Sequence, residues 1–178
     1  MDTQIGKMCG VLHHKMFELN KVRQFTDFKT RLVFLNAHIL GKINYLIPLY
    51  MSANKDQLNK IHKVLMTAAR SVIGNYCFKK STVYILNKCG WLGVNNMIKC
   101  ASVKLIHKII TDKSPITIFE LYKINARSNV DIVTHYKPKL KKTEQFFVYK
   151  GIQIYNKVPK NIKANKTINM RLKNILKL

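Results

Sequence analysis

The sequence predicts an all-α fold, a helical bundle with one irregular or short β-hairpin insertion before a basic C-terminal helix. In several segments apolar residues recur every three or four positions, which places them on one face of a helix. Glycine or proline stands where these segments stop. Of the 178 residues, 47% are hydrophobic, so the chain is able to bury a core.

The first half of the chain contains the most regular helical patterns. A helix over about residues 7–21 precedes the clearest amphipathic segment, which should end near Pro48 because proline disfavours the helical conformation in the residue before it. The apolar stripe of that segment is Phe28, Leu32, Leu35, Ile39, Ile43 and Leu46.

The next helix has recognisable signals at both ends. Asn54 is the expected N-cap, with Gln57 three residues later to complete a capping box. Gly74 is the expected stop. The buried stripe between them should be Leu58, Ile61, Leu65, Ala68 and Val72.

The second half begins with two further helices. A short one over residues 81–88 should close at Gly90, with Trp91 packing into the core. The stripe of the other should be Val94, Ile98, Ala101, Leu105 and Ile109.

Beyond these helices the pattern weakens. A short helix over 116–122 should be followed by irregular structure from 126 to 142, because the helical period disappears there. The aromatic and β-branched run 146–149 suggests a short strand. One turn of helix over 151–156 and a final helix, starting near 168, complete the expectation.

The charge of the chain favours a polyanionic partner. It has 32 Lys and Arg against 8 Asp and Glu, a formal net charge of +24. Residues 137–178 alone hold eleven lysines and one arginine against one acid, Glu144. Nucleic acid and anionic lipid are the obvious polyanions.

Catalytic and metal-binding patterns are missing from the sequence. The eight acids are isolated from one another, whereas nucleotidyl transfer needs converging carboxylates that hold divalent metals. The cysteines, Cys9, Cys77, Cys89 and Cys100, lack the close spacing of a zinc site. We therefore expect no catalytic residue, no metal and no cofactor. Without an apolar run of 18 residues or a signal-peptide pattern, we expect an intracellular protein, nuclear or cytoplasmic, that is not integral to a membrane.

Four segments of the first half carry a recognisable pattern: Phe28–Leu32, Gly41–Tyr50, Gln57–Lys63 and Met66–Arg70. Together they resemble the region after the polymerase palm in non-LTR retrotransposon reverse transcriptases. In the tail, Tyr149-Lys150-Gly151 and then Tyr155-Asn156-Lys157-x-Pro159 look like the family's signature of an aromatic residue, Asn and Leu-Pro.

This resemblance implies a division of the chain and a truncation. Residues 1–75 would be a thumb-like helical segment, 76–125 its helical continuation and 126–178 a basic C-terminal segment. The family's catalytic aspartates lie in the palm, in a Tyr or Phe-x-Asp-Asp motif that this chain lacks. A polymerase palm in trans is therefore a possible partner, in which case the chain would be a subunit that receives its carboxylates from another protein.

These observations predict binding to RNA, DNA or their hybrid through phosphates, without strong sequence preference, by a catalytically incomplete fragment. The excess of lysine over arginine favours phosphate contact over base reading. One alternative is a helical protein–protein interaction or structural module, and another is a peripheral membrane protein with a basic tail at 166–178. The candidate nucleic-acid-binding residues are Arg31, Lys42, Lys79, Lys80, Lys137, Lys139, Lys141, Lys142, Lys157, Lys160 and Lys163.

Overall fold

The computed structural model describes residues 2–74, 80–124, 132–134 and 146–159, and the single positions 139, 144 and 163. These residues are mostly helical, as the sequence predicts. They contain one two-stranded antiparallel sheet. Their contacts define two compact units, Met1–Leu46 with Ala53–Asn95, and Ile47–Ser52 with Asn96–Leu178. The resemblance of the sequence implies three consecutive segments, with residues 76–125 in one of them.

The first unit begins with helix α1, Asp2–Val22, which is longer than expected and continues into a 3-10 turn, Arg23–Phe25. Helix α2, Phe28–Leu35, starts at Asp27, whose carboxylate accepts a hydrogen bond from the Thr30 N–H at 2.9 Å. A π-helical turn, Asn36–Leu40, joins α2 to helix α3, Gly41–Tyr45.

Helix α4, Lys55–Ile73, is the centre of the first unit and packs against α1, α2 and helix α5, Thr82–Cys89. The predicted capping box is confirmed: the Asn54 side chain accepts from the Gln57 N–H at 2.8 Å, and the Gln57 side chain accepts from the Asn54 N–H at 3.0 Å. Of the predicted stripe, only Leu58 is half-exposed; the buried members are Ile61, Leu65, Ala68 and Val72.

Glycines end α4 and α5, as predicted. Gly74 has a φ of 105° and Gly90 a φ of 69°, conformations that L side chains rarely adopt. After Gly90 the chain turns inward at Trp91, which is buried and donates a hydrogen bond from its indole Nε1 to the side-chain oxygen of Asn36 at 2.8 Å. This bond fixes the first residue of the π-helical turn to a segment that lies 55 residues away in the chain.

The second unit contains the 3-10 helix Ile47–Ser52 and residues 96–112 of helix α6, Val94–Asp112. The buried residues of α6 from position 96 on are Met97, Ile98, Cys100, Ser102, Val103, Ile106 and Ile109. Ala101 and Leu105 of the predicted stripe are only half-buried, so the core-facing side is rotated from the one expected. The buried Ser102 hydroxyl donates to the Ile98 carbonyl at 2.7 Å, which satisfies this polar group.

A short helix α7, Ile116–Phe119, leads to strand β1, Tyr122–Ile124, which pairs with strand β2, Ile132–Thr134. The pairing is antiparallel, with Tyr122 opposite Thr134. The helix predicted over 116–122 is therefore shorter than expected and ends at Phe119. Tyr122, predicted as its last residue, begins strand β1 instead.

The strand predicted over 146–149 is wrong, because these residues begin helix α8, Phe147–Asn156. The apolar pattern continues at helical spacing through the buried residues Gly151, Ile152 and Tyr155, and α8 packs against the 3-10 helix Ile47–Ser52 and β2. A methyl group built at Gly151 would lie 2.8 Å from Cδ1 of Ile106, so glycine allows α8 to approach α6 closely. The expected final helix near 168 lies outside the described residues.

Candidate nucleic-acid interface

Four of the candidate residues have exposed side chains in the structure. They are Lys42 in α3, Lys80 before α5, Lys139, and Lys157 after α8. None of these lysines forms an ion pair with a carboxylate in the part of the chain that the structure describes. Lys79, Lys137, Lys141, Lys142 and Lys160 lie outside the described residues.

Arg31 has a partly internal role. Its side chain is half-buried on α2, and Nε donates to the backbone carbonyl of Asp27 at 3.1 Å. The guanidinium therefore helps to hold the first turn of α2.

Lys163 lies in the interior of its unit, contrary to the expectation of a surface phosphate contact. Its side chain is only 6% exposed, and Nζ donates to the backbone carbonyl of Asn156 at 3.3 Å. The same ammonium lies 4.9 Å from the centroid of the Tyr155 ring. A carbonyl and an aromatic face stabilise the buried charge, so we remove Lys163 from the candidate interface.

Three acidic side chains, Glu18, Asp27 and Asp56, have local roles. Glu18 accepts from Lys15 Nζ at 2.7 Å and lies 3.2 Å from Nε2 of His14, contacts that hold the pKa of this carboxyl below its usual value, with the Lys15 hydrogen bond as the main cause. The hydrogen bonds from Thr30 likewise lower the pKa of Asp27, the cap of α2. Asp56 lies in the first turn of α4, where a negative charge is favourable.

Many exposed lysines outside the candidate set also form no ion pair among the described residues. They extend over both units: Lys7, Lys21, Lys29, Lys55, Lys63, Lys88, Lys99, Lys108, Lys113, Lys123 and Lys150. Sequence reasoning missed them individually because it weighted the dense run at 137–142. The sequence feature that indicated these lysines was the general deficit of acidic residues along the chain.

Two of the exposed lysines stand beside exposed aromatic rings. Lys21 Nζ lies 4.7 Å from the centroid of the Phe17 ring, and Lys80 Nζ lies 5.7 Å from that of Tyr84. Both pairs are four residues apart. Phe17 and Lys21 both lie on α1, where this spacing makes side chains neighbours, whereas Lys80 precedes Ser81, the N-cap of α5. That spacing was readable from the sequence, and it is the signal that could have found these two pairs.

A groove of about 310 Å³ runs along the outer side of α4. It is lined by Asp56, Asn59, Lys60, His62 and Lys63. Lys60 lies near Cys9 and lowers the pKa of its thiol, although burial has the larger effect and raises that pKa. The groove can accommodate an anionic group, since its lysines outnumber its single carboxylate.

The second unit contains a buried polar cluster of a different kind. Nδ1 of His107 lies 3.2 Å from the Tyr155 hydroxyl, whereas Nε2 of His107 is buried with no hydrogen-bond partner. Burial lowers the pKa of His107. The Tyr122 hydroxyl is likewise buried and unpartnered, and burial raises its pKa to about 12. Both unpartnered atoms, Nε2 of His107 and the Tyr122 hydroxyl oxygen, are buried within the second unit.

Two structural searches give negative results for the described residues. No cluster of three or more His, Cys, Asp or Glu side chains among them is arranged to hold a metal ion. No helix in the same residues combines the length and the apolar character that crossing a bilayer requires.

Comparisons of the chain with models of known protein families, with curated proteins and with solved structures find no match.

Proposed function

We propose that this chain binds nucleic acid through its phosphates and does so without catalysing polymerisation. The observation that carries the proposal is the set of exposed lysines that have no carboxylate partner among the described residues. The positive charges of such a surface repel one another. When the surface binds a nucleic acid, the lysines neutralise phosphates and release the counterions condensed on them, which favours binding. Lysine contacts phosphate as a point charge, so the binding is expected to be largely independent of sequence.

Within this proposal, the resemblance of the sequence to the post-palm region of non-LTR reverse transcriptases supplies the origin of the binding surface. The chain would be a thumb-derived fragment that keeps contact with RNA, DNA or hybrid. A polymerase palm acting in trans is the protein partner that this origin implies. The sequence motifs and the helical character of the fold support this proposed origin.

The test is binding of the purified chain to labelled 20-mers of unrelated sequence, as duplex DNA, single-stranded DNA, single-stranded RNA and hybrid. At about 50 mM salt we expect dissociation constants in the micromolar range or tighter, with little dependence on sequence. Absence of binding to all four would refute the proposal. Tight binding to anionic vesicles, with none to nucleic acid, would support the lipid alternative instead.

The same preparation tests the second half of the proposal. With primer-template, nucleotides and Mg²⁺ or Mn²⁺, the chain alone should extend no primer, because the sequence shows no group of carboxylates to hold the metals. Metal-dependent extension by the pure chain would contradict this.

One observation favours the alternative of a protein-interaction module. Val33 and Tyr45, on the helical run from α2 to α3, are 61% and 84% exposed although both are large. Changing both to Ser should leave nucleic-acid affinity within about twofold if lysines dominate, since neither side chain is charged. A larger loss would show that the apolar surface of this run takes part in the binding.

A further inference from the structure

The end of α1 and the 3-10 turn after it expose two phenylalanine rings. Phe17 is 57% exposed and Phe25 is 81% exposed. The core-facing side of α1 is formed by other residues, the buried Ile5, Leu12, Met16 and Leu19. The two rings therefore lie outside the buried face of α1, and more than half of the surface of each residue is accessible to water.

A lysine lies between these two rings along the chain. Lys21 is exposed, forms no ion pair among the described residues, and holds its ammonium 4.7 Å from the centroid of the Phe17 ring. A cation–π contact at such an exposed site is weak, so the ammonium is able to leave the ring for a stronger partner. We call Phe17, Lys21 and Phe25 the aromatic edge.

The spacing of the aromatic edge suits a strand with several nucleotides. From Phe17 to Phe25 the backbone advances about 13–14 Å, at roughly 1.5 Å per residue along α1 and roughly 2.0 Å per residue along the 3-10 turn, which leaves room for bases on separate rings. A phosphate would give Lys21 the negatively charged partner that it lacks among the described residues. A base has the flat face that stacks on phenylalanine.

The acids near the aromatic edge are already engaged. Glu18 accepts a hydrogen bond from Lys15 Nζ at 2.7 Å and lies 3.2 Å from His14 Nε2. The Asp27 carboxylate caps α2 by accepting from the Thr30 N–H at 2.9 Å. The charges that remain near the rings are therefore positive, which favours an anionic partner.

We propose that the aromatic edge is a single-strand binding site, at which Phe17 and Phe25 stack unpaired bases while Lys21 contacts phosphate. This inference rests on the proposed nucleic-acid function and specifies its substrate. Duplex bases are stacked on each other and do not present their faces, so the site should discriminate against duplex.

The experiment compares a twelve-residue oligothymidylate with an abasic strand of equal length, which has the same phosphates but no bases. The wild-type chain should bind oligothymidylate more tightly. Phe17→Ala and Phe25→Ala should each weaken that binding by about 5- to 100-fold and leave the affinity for the abasic strand unchanged.

Three control variants separate stacking from other causes. Phe17→Trp should retain the wild-type affinity for oligothymidylate, whereas Phe17→Leu, which keeps the apolar bulk but has no ring, should lose as much as the alanine variant. Lys21→Gln should weaken binding to both strands. Lys7→Gln removes an equal charge from the same helix away from the rings, and it should have the smaller effect on oligothymidylate.

Each result decides between the two proposals. If the wild-type chain binds the abasic strand and oligothymidylate equally, or if Phe17→Leu behaves like the wild type, the stacking site is refuted while phosphate binding stands. If neither strand binds but duplex DNA or hybrid does, the single-strand site is refuted while the proposed function stands. If duplex DNA, single-stranded RNA and hybrid also fail to bind, the proposed function itself fails. If the Phe17 and Phe25 variants lose binding to anionic vesicles but not to oligothymidylate, the aromatic edge is a lipid contact and the inference is wrong.

Discussion

Replacing Leu65 by Ala tests whether α4 is the centre of the first unit. Leu65 is completely buried on α4, in the stripe that the sequence predicts. The change removes three buried carbons, about 2.4 kcal/mol at roughly 0.8 kcal/mol each. The cavity left behind adds to this, so we expect a loss of about 3–5 kcal/mol in the free energy of unfolding.

The assay uses the single tryptophan as a probe of the same unit. Trp91 is buried and bonded to Asn36, so its fluorescence should change when the first unit unfolds in urea. The control is Thr67→Ala, an exposed position on the same helix, which should change the free energy of unfolding by no more than about 0.5 kcal/mol. A loss below about 1 kcal/mol in the free energy of unfolding for Leu65→Ala would refute the burial of Leu65 in the core of the first unit.

Three further predictions concern local features. Asn54→Ala removes the capping box with Gln57 and should lower the free energy of unfolding by about 1 kcal/mol in urea titrations; no loss would mean that water replaces the cap. Gly10→Ala should stabilise the chain by about 0.5–1 kcal/mol, because nothing lies near its added methyl group. Gly151→Val should destabilise it by about 1–3 kcal/mol. A lower melting temperature for Gly10→Ala than for Gly151→Val would contradict the open space at Gly10 and the close packing at Gly151. Burial lowers the folded-state pKa of His107, so its contribution to stability should be present above pH 6.5 and should decline as the pH falls through the folded-state pKa. His107→Gln should reduce that dependence in melts between pH 7.5 and 5, and an unchanged profile would exclude His107 as its cause.

The helices with strong local signals were predictable from the sequence. Asn54 with Gln57, Gly74 and Gly90 each act within one turn of the helix end that they define. The alternation of buried and exposed positions along α4 reflects a single helical face, and one sequence is enough to read it.

Features that depend on distant contacts were not predictable. The π-helical turn begins at Asn36, whose partner Trp91 lies 55 residues away, so the local periodicity indicated only a continuous helix. The run 146–149 has strand-like residues, and packing against β2 and the 3-10 helix decides in favour of a helix. Short segments are commonly decided by tertiary contacts in this way.

The candidate interface was predictable by residue type and less so by position. Lysine is usually exposed, and this expectation held for Lys42, Lys80, Lys139 and Lys157. It failed for Lys163, because the Tyr155 ring and a carbonyl provide it with an internal site. No pattern in the sequence distinguishes that lysine from the exposed Lys157.

The most direct test of the central claim is the salt dependence of nucleic-acid affinity for three chains. They are the wild type, the triple variant with Lys139, Lys141 and Lys142 changed to Gln, and the single variant Lys163→Gln. If the lysines neutralise duplex phosphates, the logarithm of the affinity should fall linearly with the logarithm of the salt concentration, by about 0.9 per contact. We predict that the triple variant lowers this slope by up to about 2.7, equally for unrelated sequences, and that Lys163→Gln leaves it unchanged because Lys163 is buried. A wild-type affinity that does not depend on salt, or an equal change of slope in the triple variant and in Lys163→Gln, would contradict the account.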